Sequence, residues 1–117
     1  DVRSALDMEA ALASALGDDL GGADALIMTA AVSDYRPALR SATKVKKEGE
    51  RVVLELAKNP DLLAAVGARR GARSRPVLVG FAVETGDEGA LVAYARGKLE
   101  AKQVDLIVAN GAEHAFG

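Results

Sequence analysis

The stretch Pro76-Val77-Leu78-Val79-Gly80-Phe81 decides the fold, because a short apolar run that follows a proline is typical of a strand buried on both faces. Residues 90–103 follow it with apolar side chains at helical spacing, and another apolar run comes near residues 104–108. A strand, a helix and a second apolar strand in this order predict parallel pairing through a right-handed crossover.

The preceding part of the chain repeats this alternation of helix and strand. Ser4, with an acid three residues later, predicts a helix that Gly17 ends, and an apolar strand follows near residues 25–29. In Asn59-Pro60-Asp61 we expect a helix start with Asn59 as the cap, Pro60 at the first position and an acid in the first turn. The order predicts the α/β class, as a Rossmann-like open parallel sheet with helices on both faces.

A hairpin interrupts this alternation at about residues 43–57. Residues 43–47 and 51–57 flank the turn-forming Glu48-Gly49-Glu50, and residues 52–56 form the predicted second arm. Residues 30–42 show no clear period, so we expect a long loop there.

Composition bounds the class of protein. The 117 residues suit one domain, and a balance of 15 basic against 17 acidic residues argues against a nucleic-acid or anionic-membrane binder. Without Cys there is no disulfide or thiolate chemistry, and His114 alone cannot build a His-rich metal site. No membrane span or signal peptide is visible, so we expect a soluble, cytoplasmic protein. Because the chain opens at Asp1 and stops at Gly117 just after a predicted strand, we expect a partial domain.

Ligands of open α/β sheets bind at the carboxyl ends of the strands, and the residues there are the first candidates for a site. Ala30 and Ala31 would let a flat ligand approach the backbone, and Asp34 could hold ribose hydroxyls or a divalent cation. Equally, Asp34 could only cap a turn. Phe81 could stack on a base or lie in the core. Lys44 and Lys46 share one face of the hairpin arm, where a solvated edge strand is the simpler interpretation.

Two helices carry further candidates. Lys98 and Lys102 share one helix face, and neither has an acid three or four residues away within that helix. An anionic partner would relieve their repulsion, although an ordinary solvated face is the simpler interpretation of the pattern alone. The residues Asn59-Pro60-Asp61 could present free helical N–H groups to an anion, or could only start the helix.

Five segments together resemble one enzyme family, the phosphopantothenate–cysteine ligases of coenzyme A biosynthesis. They occur in the family's order and nearly span the chain: Ala30-Ala31-Val32-Ser33-Asp34-Tyr35-Arg36, Lys44-Val45-Lys46-Lys47, Lys58-Asn59-Pro60-Asp61-Leu62, Val79-Gly80-Phe81-Ala82-Val83-Glu84-Thr85 and Val104-Asp105-Leu106-Ile107-Val108-Ala109-Asn110. One such segment is weakly specific, whereas five in order are highly specific.

The resemblance implies a CTP-dependent ligase. The bacterial type joins 4′-phosphopantothenate to L-cysteine through an acyl-cytidylate, with Mg²⁺ accompanying the triphosphate. It implies Lys44 as the catalytic residue and Asp34 as a metal ligand. It also implies a homodimer formed through the hairpin, and FMN only where a decarboxylase is fused upstream, not in this chain. The positions that it implies for nucleotide binding are Ala30, Ala31, Asp34, Lys44, Pro60, Asp61, Leu62, Leu63, Phe81, Lys98 and Lys102.

The sequence departs from the family pattern at its start. The family's glycine-rich first strand and its Ser-Asn-X-Ser-Ser-Gly segment, which carries an Asn used on the acyl-cytidylate, are absent, so we expect these 117 residues to be inactive alone. Two alternatives stay open: a dinucleotide-binding oxidoreductase domain, whose G-x-G-x-x-G does not occur here, and a non-catalytic dimerisation module. Titration with CTP and NAD distinguishes the three.

Overall fold

The structure is a computed structural model, and it describes residues 1–39, 41, 43 and 51–112. The helices and strands of these residues alternate in the predicted manner. Their bounds are α1 (Ala5–Leu16), β1 (Ala25–Met28), β2 (Tyr35–Pro37), β3 (Leu56–Lys58), α2 (Leu62–Arg70), β4 (Val77–Glu84), α3 (Glu88–Lys102) and β5 (Leu106–Gly111).

The predicted parallel sheet is confirmed. Its order is β1-β4-β5, with Ala25 opposite Val77 in the first pair and Val79 opposite Leu106 in the second. Because all its strands run the same way, β1 and β4 end at one edge of the sheet, where ligands of such sheets bind.

One face of this sheet carries the core. Leu78 on β4 packs with buried side chains from α1, from α2 and from the segments that precede β1 and β5: Leu16, Leu20, Leu63, Val66 and Val104. Gly80 has no side chain, and a Cβ there would lie only 2.6 Å from a methyl of Leu63. The absence of that side chain therefore brings α2 close to the middle strand.

The opposite face, where we also expected helices, is exposed within the described residues. Alternate strand positions point there, and they are apolar side chains left in solvent: Ile27, Val77, Phe81, Val83 and Leu106. The structure confirms the α/β class, the parallel sheet and a separate antiparallel pair of strands. The described helices that pack on the parallel sheet all lie on the same side of it.

One of the two predicted helix caps is confirmed by the structure and the other is wrong. Ser4 caps α1 in a capping box with Asp7, as predicted. The cap of α2 is Asp61, whose side chain accepts from the Ala64 N–H at 3.1 Å, and not Asn59. Asn59 hydrogen-bonds to another segment, and the helix begins only after Asp61.

The antiparallel pair differs from the predicted hairpin. Tyr35–Pro37, expected in a loop, pairs with Leu56–Lys58, and residues 52–55 of the predicted arm form no strand. Lys44 to Lys47, the rest of the predicted first arm, lie outside the described residues. The alternating pattern correctly predicted a strand that includes Leu56, but it could not predict which segment pairs with that strand.

An ion pair fixes the end of α2 at the sheet edge where the strands begin. Buried Arg70 pairs with Asp105 and also donates to the carbonyls of Pro76 and Gln103, at 3.2 and 2.9 Å. The Leu78 N–H donates to the Asp105 carboxylate, which lowers the pKa of Asp105 below its usual range against the effect of burial, and Arg70 adds to this lowering. With its carboxyl end held there, α2 directs its amino end toward the edge where β1 and β4 end. Among the described residues, no helix has the length and apolar character needed to span a membrane.

Candidate functional site

A cavity of about 600 Å³ lies where β1 and β4 end. Its walls come from the loop between β1 and β2, the start of α2, the second half of β4 and the end of α3. Lining it are all the described residues that we predicted at the nucleotide site: Ala30, Ala31, Asp34, Pro60, Asp61, Leu62, Leu63, Phe81, Lys98 and Lys102. Lys44 lies outside the described residues. The fold therefore brings four separate sequence segments to one place.

The loop after β1 forms the first wall. Ala30 and Ala31 are exposed, and the Val32 N–H donates to the Ala30 carbonyl at 3.1 Å, which folds the loop tightly. The Asp34 carboxylate is exposed to the cavity and forms no hydrogen bond or ion pair with the described residues. Small side chains leave this stretch of backbone open to a ligand.

Asn59 joins this loop to the start of α2. Its side-chain N–H donates to the Ser33 carbonyl at 2.7 Å, and its own backbone N–H donates to the Asp34 carbonyl at 2.7 Å. Its Oδ1 accepts from Arg36 at 3.0 Å, and the same guanidinium nitrogen donates to the Lys58 carbonyl at 2.8 Å. The sequence patterns assign Arg36 no role of its own beyond the segment of residues 30–36, and they assign Asn59 to a helix start whose free N–H groups could bind an anion. The signal in the sequence is that Asn59 comes two residues before Asp61, the actual cap of α2, so its amide is free to bond to another segment.

Lys102 is paired, contrary to our expectation of two unpaired lysines. Its Nζ lies 2.8 Å from one carboxylate oxygen of Asp61 and 3.1 Å from the other. Burial disfavours the ionised form of Asp61, but the hydrogen bonds from Lys102 and the Ala64 N–H and the charges of Lys102 and Lys98 outweigh it, so the pKa of Asp61 is lowered. The acid comes from another element 41 positions away, which helical spacing could not detect.

Lys98 lies on the same helix face, and its Nζ is 4.5 Å from the centre of the Tyr94 ring. The aromatic face stabilises the ammonium without neutralising it. Three basic residues, Lys58, Lys98 and Lys102, line the cavity together with two acidic ones, Asp34 and Asp61. Because Asp61 offsets Lys102, the remaining excess of positive charge favours an anionic ligand.

Phe81 stands on the exposed face of β4 at the cavity, with 41% of its surface accessible. It is not in the core cluster, so the core interpretation of Phe81 is wrong. Buried Leu62 and Leu63 give the cavity an apolar floor. An apolar floor and an accessible aromatic ring beside ammonium groups suit a ligand that combines a flat ring with anionic groups.

A cation held by Asp34 would need further ligands. No three His, Asp or Glu side chains come together in the part of the chain that the structure describes. Asp34 can supply one carboxylate, and phosphate oxygens of a ligand are the usual further donors to Mg²⁺. The donor set therefore fits a cation that arrives with a phosphorylated ligand.

The family profile described as "DNA/pantothenate metabolism flavoprotein C-terminal domain" matches residues 1–117. Among solved structures, the crystal structure of the DNA/pantothenate metabolism flavoprotein from Streptococcus pneumoniae is similar, with a TM-score of 0.76 and 26% identity over 96% of this chain and 55% of that one.

Curated relatives carry the name coenzyme A biosynthesis bifunctional protein CoaBC. The protein from Vibrio parahaemolyticus is 42% identical over 113 residues, which are 94% of this chain and 26% of that protein. The protein from Mycobacterium tuberculosis is 44% identical over 105 residues, 85% of this chain and 25% of that protein. The protein from Escherichia coli is 40% identical over 113 residues, 94% of this chain and 26% of that protein. The chain thus spans about a quarter of the length of these relatives.

Proposed function

The chain belongs to the DNA/pantothenate metabolism flavoprotein C-terminal domain family, and from this we propose that it acts in coenzyme A biosynthesis. The proposed activity is that of a ligase, which uses CTP to join 4′-phosphopantothenate to L-cysteine. The resemblance of five sequence segments to the ligase family supports this assignment.

The observation that carries the proposal is the cavity at the carboxyl ends of β1 and β4. Every described residue that the family resemblance assigns to the nucleotide lines this one space. Its volume of about 600 Å³ falls in the range of small-molecule sites. Ammonium groups suit the triphosphate, while the loop of small residues and the Phe81 ring suit the base and ribose.

The proposed reaction has two steps. A carboxylate oxygen of phosphopantothenate attacks the α-phosphorus of CTP, a P–O bond forms, and pyrophosphate leaves. The cysteine amine then attacks the acyl carbon, CMP leaves, and the amine loses a proton. The product is phosphopantothenoylcysteine.

Negative charge builds on the phosphate during the first step. The Lys44 ammonium is proposed to stabilise that charge, with Lys98 and Lys102 holding the rest of the triphosphate. Mg²⁺ bound with the triphosphate supplies further charge neutralisation, and Asp34 is the proposed protein ligand. Flavin chemistry is assigned to no residue of this chain.

We place the protein in the cytoplasm and propose a homodimer formed through the hairpin region. The support is the exposed apolar surface next to β3: Val53 is 94% exposed, Leu54 70% and Leu56 55%. Apolar side chains exposed next to one another are typical of a surface that another chain covers.

The test is pyrophosphate release from CTP in the presence of phosphopantothenate, measured on the full-length gene product. Lys44→Gln should slow release about 10²–10³-fold, since one preorganised charge contact is worth roughly 3–4 kcal/mol in the transition state. Stability should change by no more than about 0.5 kcal/mol. Lys47→Gln is the matched control, because strand alternation predicts that Lys47 faces the other way.

Each failure has a separate meaning. Normal release by Lys44→Gln contradicts the catalytic assignment. Binding of NAD but not CTP favours the oxidoreductase alternative, and binding of neither favours the dimerisation module. Robust turnover by these 117 residues alone contradicts the expectation that a preceding phosphate-binding segment is needed.

A further inference from the structure

We propose that Asn59 and Arg36 are positioning residues, which hold the loop that carries Asp34 at a fixed distance from the start of α2. Neither residue is among those that the family resemblance assigns to the nucleotide. Asn59 is only 9% exposed, and its contacts join the two walls of the cavity. The inference takes its ligand, CTP, from the proposed function.

The argument begins with the hydrogen bonds of Asn59. Its side chain donates to the Ser33 carbonyl and accepts from Arg36 at the same time, at 2.7 and 3.0 Å. The amide supplies the donor and the acceptor on one side chain, whereas a carboxylate cannot donate and an aliphatic side chain can do neither. The backbone N–H of Asn59 adds a bond to the Asp34 carbonyl at 2.7 Å.

Arg36 completes the link from the other strand of the antiparallel pair. One guanidinium nitrogen donates both to Asn59 and to the Lys58 carbonyl, at 3.0 and 2.8 Å. The Asn59 amide therefore has its orientation fixed by a residue that follows the loop, so that β2, the loop and the start of α2 form one hydrogen-bonded unit. Two consecutive loop carbonyls, those of Ser33 and Asp34, are occupied by this unit.

The positions of the ligand-facing groups follow from this link. Ala30, Ala31 and Asp34 line the cavity on one side, and Pro60 and Asp61 line it on the other. Asn59 lies immediately between these groups in the hydrogen-bond network. Loss of its donor frees the loop to move away from α2. Ligand binding must then order the loop again, and the entropy lost in doing so weakens the affinity.

The test compares variants that break one bond at a time. Asn59→Asp keeps the shape and the acceptor for Arg36 but removes the donor to Ser33. Because it also adds a negative charge to the cavity lining, the neutral Asn59→Leu is measured beside it, and a rise of Kd in Asn59→Asp alone would be an effect of charge and would overturn the inference. Arg36→Lys keeps the charge but not the planar fork that reaches two acceptors. Leu16→Ala is the stability control, because Leu16 is buried in the core and does not line the cavity.

Two measurements are made on each variant of the full-length gene product. Amide hydrogen exchange of a peptide covering residues 30–35, without ligand, should speed up about tenfold in Asn59→Asp, the equivalent of one lost buried hydrogen bond. The Kd for CTP and its KM should rise about tenfold, with kcat changed less than twofold. In Arg36→Lys, the exchange rate of this peptide and the Kd for CTP should both rise, but by a smaller factor.

Three further results would decide against the inference. Exchange and Kd at wild-type values in Asn59→Asp would overturn it, as would an equal rise of Kd in Leu16→Ala at a similar loss of stability. A fall in kcat with KM unchanged would also overturn it, since a positioning residue acts on binding. If the wild type binds no CTP, the proposed function fails, and the exchange comparison then decides this inference alone.

Discussion

Replacing Gly67 by Ala tests the packing that brings the two lysines of α3 to the cavity. Gly67 lies within α2, and a Cβ there would lie 1.9 Å from the carbonyl oxygen of Lys102. Real Cβ contacts stay beyond 3.0 Å, so the end of α3 must move away from α2 by roughly 1 Å. The obstacle is backbone, which cannot rotate aside as a side chain can.

The expected effect is the difference between two opposed terms. In the interior of a helix, alanine is more stable than glycine by about 1 kcal/mol. Forcing packed elements apart costs typically 1–3 kcal/mol, and a backbone clash belongs at the upper end. We therefore expect Gly67→Ala to lower the free energy of unfolding by about 2 kcal/mol, and the melting temperature by roughly 10 °C, measured by circular dichroism in denaturant and on heating.

Gly97 provides the matched control. It lies within α3, and a Cβ there would meet nothing within 4 Å. Gly97→Ala should therefore raise the free energy of unfolding by about 0.5–1 kcal/mol through helix propensity alone. A Gly67→Ala variant as stable as Gly97→Ala, or more stable than the wild type, would refute the close contact between α2 and the end of α3.

Three further predictions follow from charge and exposure. Lys98→Ala and Lys102→Ala should both raise the KM for CTP, and each should cost about 0.5 kcal/mol of stability, because Lys102 loses its ion pair with Asp61 and Lys98 loses its contact with the Tyr94 ring; an unchanged KM in either variant would contradict this. The pKa values of Asp61 and Asp105 are lowered in the folded state, so their stabilisation is complete above pH about 4, the unfolded value, and disappears as pH falls through the folded values. Acid titration of unfolding should show this loss, and Asp105→Asn should flatten it. Val53→Asp should convert the proposed homodimer to a monomer in light scattering, and an unchanged mass would count against the hairpin interface.

The sequence was sufficient for those parts of the fold that local patterns determine. Ser4 and Asp7 predicted the start of α1 because a capping box is contained within four residues. The apolar runs predicted β1, β4 and β5, and their alternation with helices predicted the parallel order. The same logic placed the cavity, because parallel strands end together and ligands bind at that edge.

Partners distant in sequence could not be predicted from local patterns. Spacing within α3 suggested two unpaired lysines, whereas Asp61 reaches Lys102 from the start of another helix. Asn59 is a residue type that often caps helices, but its side chain donates to the Ser33 carbonyl and accepts from Arg36 instead. In each case a polar side chain had several possible partners, and tertiary packing selected among them.

The pairing of Lys102 changes how the cavity attracts anions. Asp61 both caps α2 and holds the Lys102 ammonium, so any anion that binds Lys102 competes with a carboxylate already 2.8 Å away. Lys98 has no such competitor among the described residues; its contact is the Tyr94 ring, which keeps its charge available. The long-range attraction therefore comes from Lys98 together with Lys58 of the same lining, while Lys102 contributes once the ligand is close enough to displace or share Asp61. Two lysines that look equivalent on one helix face thus have different roles, and the difference originates in one carboxylate that the fold brings from α2.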